Sequence, residues 1–120
     1  MDQASFSTLS PLSRLVDLDY LAAVTGGDIV LAREVLALFS AQARALSATG
    51  ALLSPQAGVE AHKLKGSAGA IGAVAVLEAV RRLEEVLGEG RDRAAALSAL
   101  RAAVVDACGA IDRVLSSSSP

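Results

Sequence analysis

Apolar residues recur every three or four positions along most of the chain, which is the spacing of one face of an α-helix. No stretch shows the strict alternation of apolar and polar residues that a half-buried strand requires. Breaks in the pattern fall at glycines, prolines and capping residues. The pattern therefore predicts helices over about residues 17–24, 29–49, 54–71, 73–87 and 92–115.

The predicted helix ends carry recognisable signals. Asp17, Asp28 and Asp92 each stand where a helix is expected to begin, as N-caps. Ser54-Pro55 combines an N-cap with proline at the first helical position, and Gly72 separates the third helix from the fourth. Because short connections make sequential helices antiparallel neighbours, we predict an all-α fold, an up-down antiparallel four-helix bundle with a short additional N-terminal helix.

Length and composition agree with one helical domain. The 120 residues include 25 Ala and 18 Leu, the two types most favourable in helices. We expect a flexible N-terminal lead-in over residues 1–16, a helical bundle domain over residues 17–115 and a disordered Ser-rich tail over residues 116–120.

Charge, cysteine content and hydropathy exclude several classes of function. A net charge of −2 offers no basic surface for nucleic acid. The single cysteine, Cys108, rules out an internal disulfide and is expected in the core. The first residues lack a signal-peptide pattern, and the apolar stretch Ala68–Leu77 is shorter than the roughly 18 residues that span a membrane. We therefore expect a cytoplasmic protein that binds neither nucleic acid nor membrane.

The third predicted helix carries the only histidine of the chain on the side opposite its apolar residues. At about 100° per residue, Leu64 lies roughly 160° from His62, whereas Gly58, Gly66 and Gly69 lie within roughly 40° of it. Each glycine inside a helix costs about 1 kcal/mol relative to alanine. The glycines leave a bare surface on which a second protein can approach the imidazole closely.

Lys65 follows His62 by one helical turn and places positive charge beside the ring. Neutral imidazole is a competent nitrogen nucleophile near neutral pH and forms covalent intermediates. This arrangement suits a nucleophile that enters the active site of another protein.

The residues around His62 form a motif of defined spacing. Residues 61–68 read AHKLKGSA and are followed by Ile71-Gly72-Ala73, Leu77 and Leu83-Glu84. Upstream, the matching positions are Asp19, Leu21, Gly26-Gly27-Asp28, Leu36 and Phe39. Over about residues 17–115, the chain resembles the histidine-containing phosphotransfer (HPt) domain of multistep two-component signalling.

The resemblance implies a phosphoryl carrier with neither kinase activity nor a bound cofactor of its own. His62 would accept the phosphoryl group, Lys65 would support its charge and Gly66 would keep the site accessible. The other docking positions would be Gly58, Val59, Lys63, Gly69 and Ala70. The implied partners are the receiver domain of a hybrid histidine kinase, whose aspartate donates the group, and the receiver domain of a response regulator. Mg²⁺ is expected from the partner receiver domain.

Other classes of function lack supporting residues. An enzyme needs convergent polar groups, and the sequence indicates no acidic partner near His62. A metal site needs further His or Cys ligands. In the kinase dimerisation domain an acidic residue directly follows the phosphorylated histidine, whereas Lys63 stands there in this chain. The remaining alternative is a non-catalytic helical protein–protein interaction module with an incidental surface histidine.

Four residues near the motif have structural interpretations. Ser67 is expected to pack against a neighbouring helix, and Gly72 to end the third helix. Glu84 is interpreted as a solvated or hairpin-bridging glutamate. Glu60 falls in the apolar sector of the third helix, where the periodicity does not account for it.

Overall fold

The computed structural model describes residues 15–48 and 50–117, and in these ranges the chain is helical without strands. The helices are α1 (Leu18–Val24), α2 (Ile29–Ala48), α3 (Ala57–Ala70), α4 (Val74–Gly88) and α5 (Ala94–Ser117). One turn of 3₁₀-helix, Ala51–Leu53, connects α2 to α3. The all-α prediction is confirmed.

The four long helices form a closed ring of contacts around one core. Helix α2 contacts α3 and α5, and α4 contacts α3 and α5, while the short α1 packs against α2. The largest fully buried side chains come from every helix and include Leu21, Leu36, Leu64, Ile71, Val76, Val80, Leu83, Leu100, Cys108 and Ile111. Burial of Cys108 confirms its prediction as a core residue.

The three predicted aspartate caps hold the helix starts. The Asp17 carboxylate accepts a hydrogen bond from the backbone N–H of Tyr20 at 2.9 Å. Asp28 accepts from the N–H of Leu31 at 3.0 Å, and Asp92 accepts from the N–H of Ala94 at 3.0 Å. Each carboxylate thus satisfies a backbone donor that has no partner within the helix.

Helix α3 begins two residues later than the Ser54-Pro55 signal predicts, at Ala57 and not at Pro55. The Ser54 hydroxyl donates to the carbonyl of Ala51 at 2.7 Å and accepts from the N–H of Gln56 at 3.1 Å. This pair of bonds closes a turn onto the preceding 3₁₀ segment. The prediction of Ser54 as the N-cap was therefore wrong, and Gln56 occupies that position without a side-chain hydrogen bond.

Gly72 ends α3 as predicted, and the structure gives two reasons for glycine there. Its φ of 67° is left-handed, and the next residue, Ala73, donates its N–H back to the carbonyl of Ala68 at 2.9 Å. A Cβ on Gly72 would lie 2.5 Å from the Cβ of Asp17. The backbone N–H of Asp17 also donates to the carbonyl of Ile71 at 3.3 Å, so the chain before α1 is joined to the α3–α4 turn.

The apolar face of α2 differs from the set that the periodicity indicates. That set is Leu31, Val35, Leu38, Phe39 and Leu46. Leu38 is 71% exposed, because it lies roughly 160° around the helix from the buried Leu36. The buried face of α2 consists of Leu36, Phe39, Ser40 and Ala43, while Val35 and Leu46 of the predicted set are partly buried and pack against the core.

The ordered domain extends past both predicted boundaries. Val16 was assigned to the flexible lead-in, but it is buried in the core. Helix α5 continues to Ser117, two residues into the predicted tail. Residues 1–14, Thr49 and residues 118–120 lie outside the described residues, so the predictions for them stay predictions.

Among the described residues, one helix is long and apolar enough to cross a membrane. It is α5, over Ala94–Ser116. This span is longer than the apolar stretch Ala68–Leu77, on which the expectation of no membrane segment rested. Its apolar residues also form one side of the core, where Leu97, Leu100 and Ile111 are buried. A core helix of a helical bundle passes the same test of length and composition, so α5 is weak evidence for a membrane span.

Candidate functional site

His62 lies on the outward face of α3, as the helical periodicity predicts. Ala57, Ala61, Leu64 and Ala68 form the buried face of α3. The His62 side chain, on the opposite side, is 75% exposed. The imidazole is therefore open to a partner molecule.

The three glycines around His62 are not required by packing inside the chain. A Cβ built on Gly58, Gly66 or Gly69 meets no atom of residues 15–48 or 50–117 within 4 Å outside its local backbone. All three have φ values that other residues adopt readily, since the glycines with positive φ lie elsewhere. Close packing of Gly66 against another described helix is thus excluded by the geometry, and these positions form an open surface beside the ring.

Val59, Lys63 and Ala70 are exposed on the same side of α3 as His62. They lie roughly 60–100° around the helix from the histidine, toward α2. Lys63 Nζ lies 3.7 Å from Glu60 Oε2. This ion pair explains Glu60, whose carboxylate is partly buried yet faces a cation one turn away.

Lys65 forms an ion pair with Glu84 across the α3–α4 hairpin. Lys65 Nζ donates to Glu84 Oε1 at 3.0 Å, and the second oxygen, Oε2, lies 3.8 Å from His62 Nδ1. The Lys65 and Glu84 side chains are 33% and 27% exposed, so water screens this pair less than it screens a fully exposed one. Glu84 is hairpin-bridging, which confirms one of its two interpretations.

This contact corrects one conclusion from the sequence. No acidic partner was expected near His62, but Glu84 faces both His62 and Lys65. The two segments lie nineteen residues apart, and the register between α3 and α4 decides which side chains meet. Periodicity along one helix gives no information on that register, although Glu84 directly follows the buried Leu83 and therefore stands at the edge of the core face of α4.

Ser67 connects α3 to the helix on its other side. Its Oγ lies 2.9 Å from Gln42 Oε1 on α2 and 3.2 Å from the carbonyl of Lys63. The predicted packing of Ser67 against a neighbouring helix is confirmed. Helix α3 is thus held by Gln42 on one side and by Glu84 on the other, and His62 is presented between them.

Comparison with known proteins identifies the domain type. A family model described as the Hpt domain matches residues 30–116, which is most of the chain. No curated protein and no solved structure matches it. The matched range begins in α2, includes the exposed His62 and ends in α5. The chain therefore belongs to the Hpt domain family, whose members are phosphotransfer modules of two-component signalling.

Proposed function

We propose that this protein is a histidine phosphotransfer carrier that accepts a phosphoryl group on His62 from a receiver-domain aspartate and passes it to the receiver domain of a response regulator. The observation that carries the proposal is the exposed imidazole of His62 on a glycine-lined face, with Lys65 one turn away. Membership of a phosphocarrier family supports it.

The attacking atom in this proposal is Nε2 of His62. Because Nδ1 is the ring nitrogen that lies 3.8 Å from Glu84, we assign the attack to the other ring nitrogen, Nε2. In the transfer, the Nε2–P bond forms and the P–O bond to the partner's aspartate breaks, so that the carboxylate leaves. Phosphoryl transfer depends mainly on positioning and on neutralising charge. The partner receiver domain would supply Mg²⁺, most of the positioning and most of the charge neutralisation.

The docking surface of this proposal is the face formed by Gly58, Val59, Lys63, Gly66, Gly69 and Ala70. Small residues allow the partner backbone to approach, and the exposed apolar Val59 offers a contact that excludes water. Lys63 would meet an acidic rim on the receiver. The ring of contacts through α2, α3, α4 and α5 supports an up-down antiparallel bundle as the frame that presents this face.

Family membership also bears on partners and location. Hpt domains interact with receiver domains of histidine kinases and response regulators, and Hpt domain proteins are typically soluble. For this chain we propose a hybrid histidine kinase as the upstream partner, a response regulator as the downstream partner and the cytoplasm as the compartment.

The direct test is transfer of labelled phosphate from a phosphorylated receiver domain to the purified chain. We expect an acid-labile, alkali-stable label on the wild type and none on His62→Gln. The assignment is unambiguous because the chain contains one histidine. A folded His62→Gln variant that still binds the receiver serves as the control, since it separates docking from chemistry.

The second candidate function is a helical interaction module with an incidental histidine. The exposed apolar side chains of α2, among them Leu31 and Leu38, are the observation that favours it. Absence of label from any of several phosphorylated receivers, with the wild type shown to be folded, would support this alternative and contradict the carrier role.

A further inference from the structure

Glu84 is the acidic side chain that contacts both groups of the proposed phosphoryl site. One carboxylate oxygen accepts from Lys65 at 3.0 Å and the other lies 3.8 Å from His62 Nδ1. About three quarters of the Glu84 side chain is buried, so its charge is only partly screened by water. The transfer chemistry proposed above does not use this carboxylate, although it stands close to where a phosphoryl dianion would be carried.

We propose that Glu84 biases the phosphoryl equilibrium away from His62, so that the chain releases the group to an acceptor more readily than it stores it. The inference rests on the proposed function, since it concerns the same histidine. Glu84 is a positioning residue in this role, because it acts through Lys65 and the imidazole ring.

The free state of the site is the one that Glu84 stabilises. Its carboxylate holds the ammonium group of Lys65 and attracts a proton on Nδ1 of His62. A proton on Nδ1 leaves the lone pair on Nε2 as the nucleophile. The three side chains are thus arranged favourably before any phosphoryl group arrives.

Phosphorylation of His62 in alkaline solution removes the attraction between Glu84 and the Nδ1 proton and weakens the attraction between Glu84 and Lys65. The Nε2–P bond forms, the P–O bond of the donor breaks, the leaving group departs and the Nδ1 proton is released to water. Nδ1 then presents a lone pair to the Glu84 carboxylate 3.8 Å away. The phosphoryl dianion also competes with Glu84 for the single positive charge of Lys65. Both changes disfavour the phosphorylated state relative to a chain with a neutral residue at position 84.

The equilibrium can be measured without a partner protein by exchange with a small phosphoryl donor. The probe is N-phosphoimidazole at pH 8. ³¹P NMR measures the equilibrium constant of the exchange in which free chain and N-phosphoimidazole give phosphorylated chain and imidazole. We expect Glu84→Gln to raise this constant about threefold to tenfold, the range for one partly exposed charge at this distance.

A matched control stands next to Glu84 in the sequence. Glu85→Gln removes the same charge from an exposed position of α4 and should leave the constant within about twofold of the wild type. In a Lys65→Ala background the effect of Glu84→Gln should shrink, because competition for the ammonium group is absent. If Glu84→Gln lost helicity, Glu84→Ala would give the same comparison.

The outcomes separate the inference from the proposed function. Equal constants for a folded Glu84→Gln variant, the Glu85→Gln control and the wild type would overturn the role of Glu84. Phosphorylation of His62 by N-phosphoimidazole with the expected Glu84 effect, but no exchange with any receiver domain, would confirm the inference and overturn the carrier function. No phosphoryl group on His62 in any variant would overturn both.

Discussion

Gly66 shows at the scale of one residue how a fold gives up stability for access. A Cβ at this position meets nothing, so the chain accepts a helix glycine that costs about 1 kcal/mol for no gain in packing. In the proposed function the gain lies outside the molecule, on the face that a partner would approach closely.

We predict that Gly66→Gln leaves the fold intact and prevents transfer from a receiver domain. Glutamine favours helix more than glycine does, so the free energy of unfolding should rise by several tenths of a kcal/mol or more. The new side chain would stand within roughly 40° of His62 on the helix and block the approach of the partner.

Gly109→Gln is the matched control, because a Cβ at Gly109 also meets nothing and this glycine lies on α5. Receiver-dependent labelling and urea unfolding of both variants check the prediction. Normal labelling of Gly66→Gln would show that the face is not the docking surface.

Ser40 is a second residue whose environment predicts a measurable effect. Its hydroxyl is buried in the α2 face and has no hydrogen-bond partner among the described residues, although the neighbouring Cys108 Sγ donates to the Ser40 carbonyl at 3.9 Å. An unsatisfied buried hydroxyl costs about 1–3 kcal/mol. We predict that Ser40→Ala stabilises the chain by about 1 kcal/mol or more in urea unfolding.

The change also improves helix propensity, and this part must be subtracted. Ser98→Ala, at an exposed position of α5, measures the propensity gain alone. Equal stabilisation by the two substitutions would contradict the assignment of a penalty to the Ser40 hydroxyl.

At the scale of elements, two glycines with the same left-handed φ differ in their surroundings. Gly72 and Gly90 both have φ of 67°, but a Cβ would lie 2.5 Å from Asp17 at Gly72 and meet nothing at Gly90. We predict a loss of about 1 kcal/mol for Gly90→Ala, from the left-handed backbone alone. Gly72→Ala should cost at least about 2 kcal/mol, because Asp17 must also move.

Thermal or urea unfolding of the two alanine variants measures the difference. A combined Asp17→Gly and Gly72→Ala variant should recover part of the loss assigned to the clash. Equal losses of unfolding free energy in the two single variants would mean that the junction between α1 and the α3–α4 turn accommodates a Cβ at position 72 at little cost.

Most helix starts and stops could be predicted from the sequence, and the exceptions have local causes. The aspartate caps and the stop at Gly72 hold because they depend on neighbouring backbone groups alone. The predicted helix start at Ser54 was wrong because the Ser54 hydroxyl also donates to the carbonyl of Ala51, an equally local partner. Leu38 failed as a core residue because spacing identifies an apolar stripe but not which stripe another helix covers.

In the candidate site, too, features that depend on one helix could be predicted from the sequence, and features that depend on two helices could not. The outward direction of His62 follows from the geometry of one helix, so the sequence alone was enough to predict it. The carboxylate of Glu84 beside it depends on how two helices are aligned, which requires the three-dimensional structure.

At the scale of the whole molecule, α5 could either span a membrane or remain in the bundle. It is long and apolar enough to span a membrane, and it is also part of the core. In the bundle its apolar residues already contact the other helices. We predict that the purified 120-residue chain is helical without detergent and does not pellet with phospholipid vesicles.

Far-UV circular dichroism and vesicle sedimentation check this expectation. A chain with Ile111→Asp, which places a charge in the core side of α5, serves as a comparison because it should lose helicity and expose apolar surface. Sedimentation of the wild type with vesicles would indicate that α5 leaves the bundle.

One exposed histidine on one helix face has a consequence for the order of events in the proposed relay. Two receiver domains cannot occupy the same imidazole at once, so the donor must dissociate before the acceptor binds. Between these encounters the phosphoryl group would stay on His62, exposed to water on a side chain that is 75% accessible. Hydrolysis of the phosphohistidine in that interval would lose the signal, so its lifetime would set the time within which the acceptor must dock.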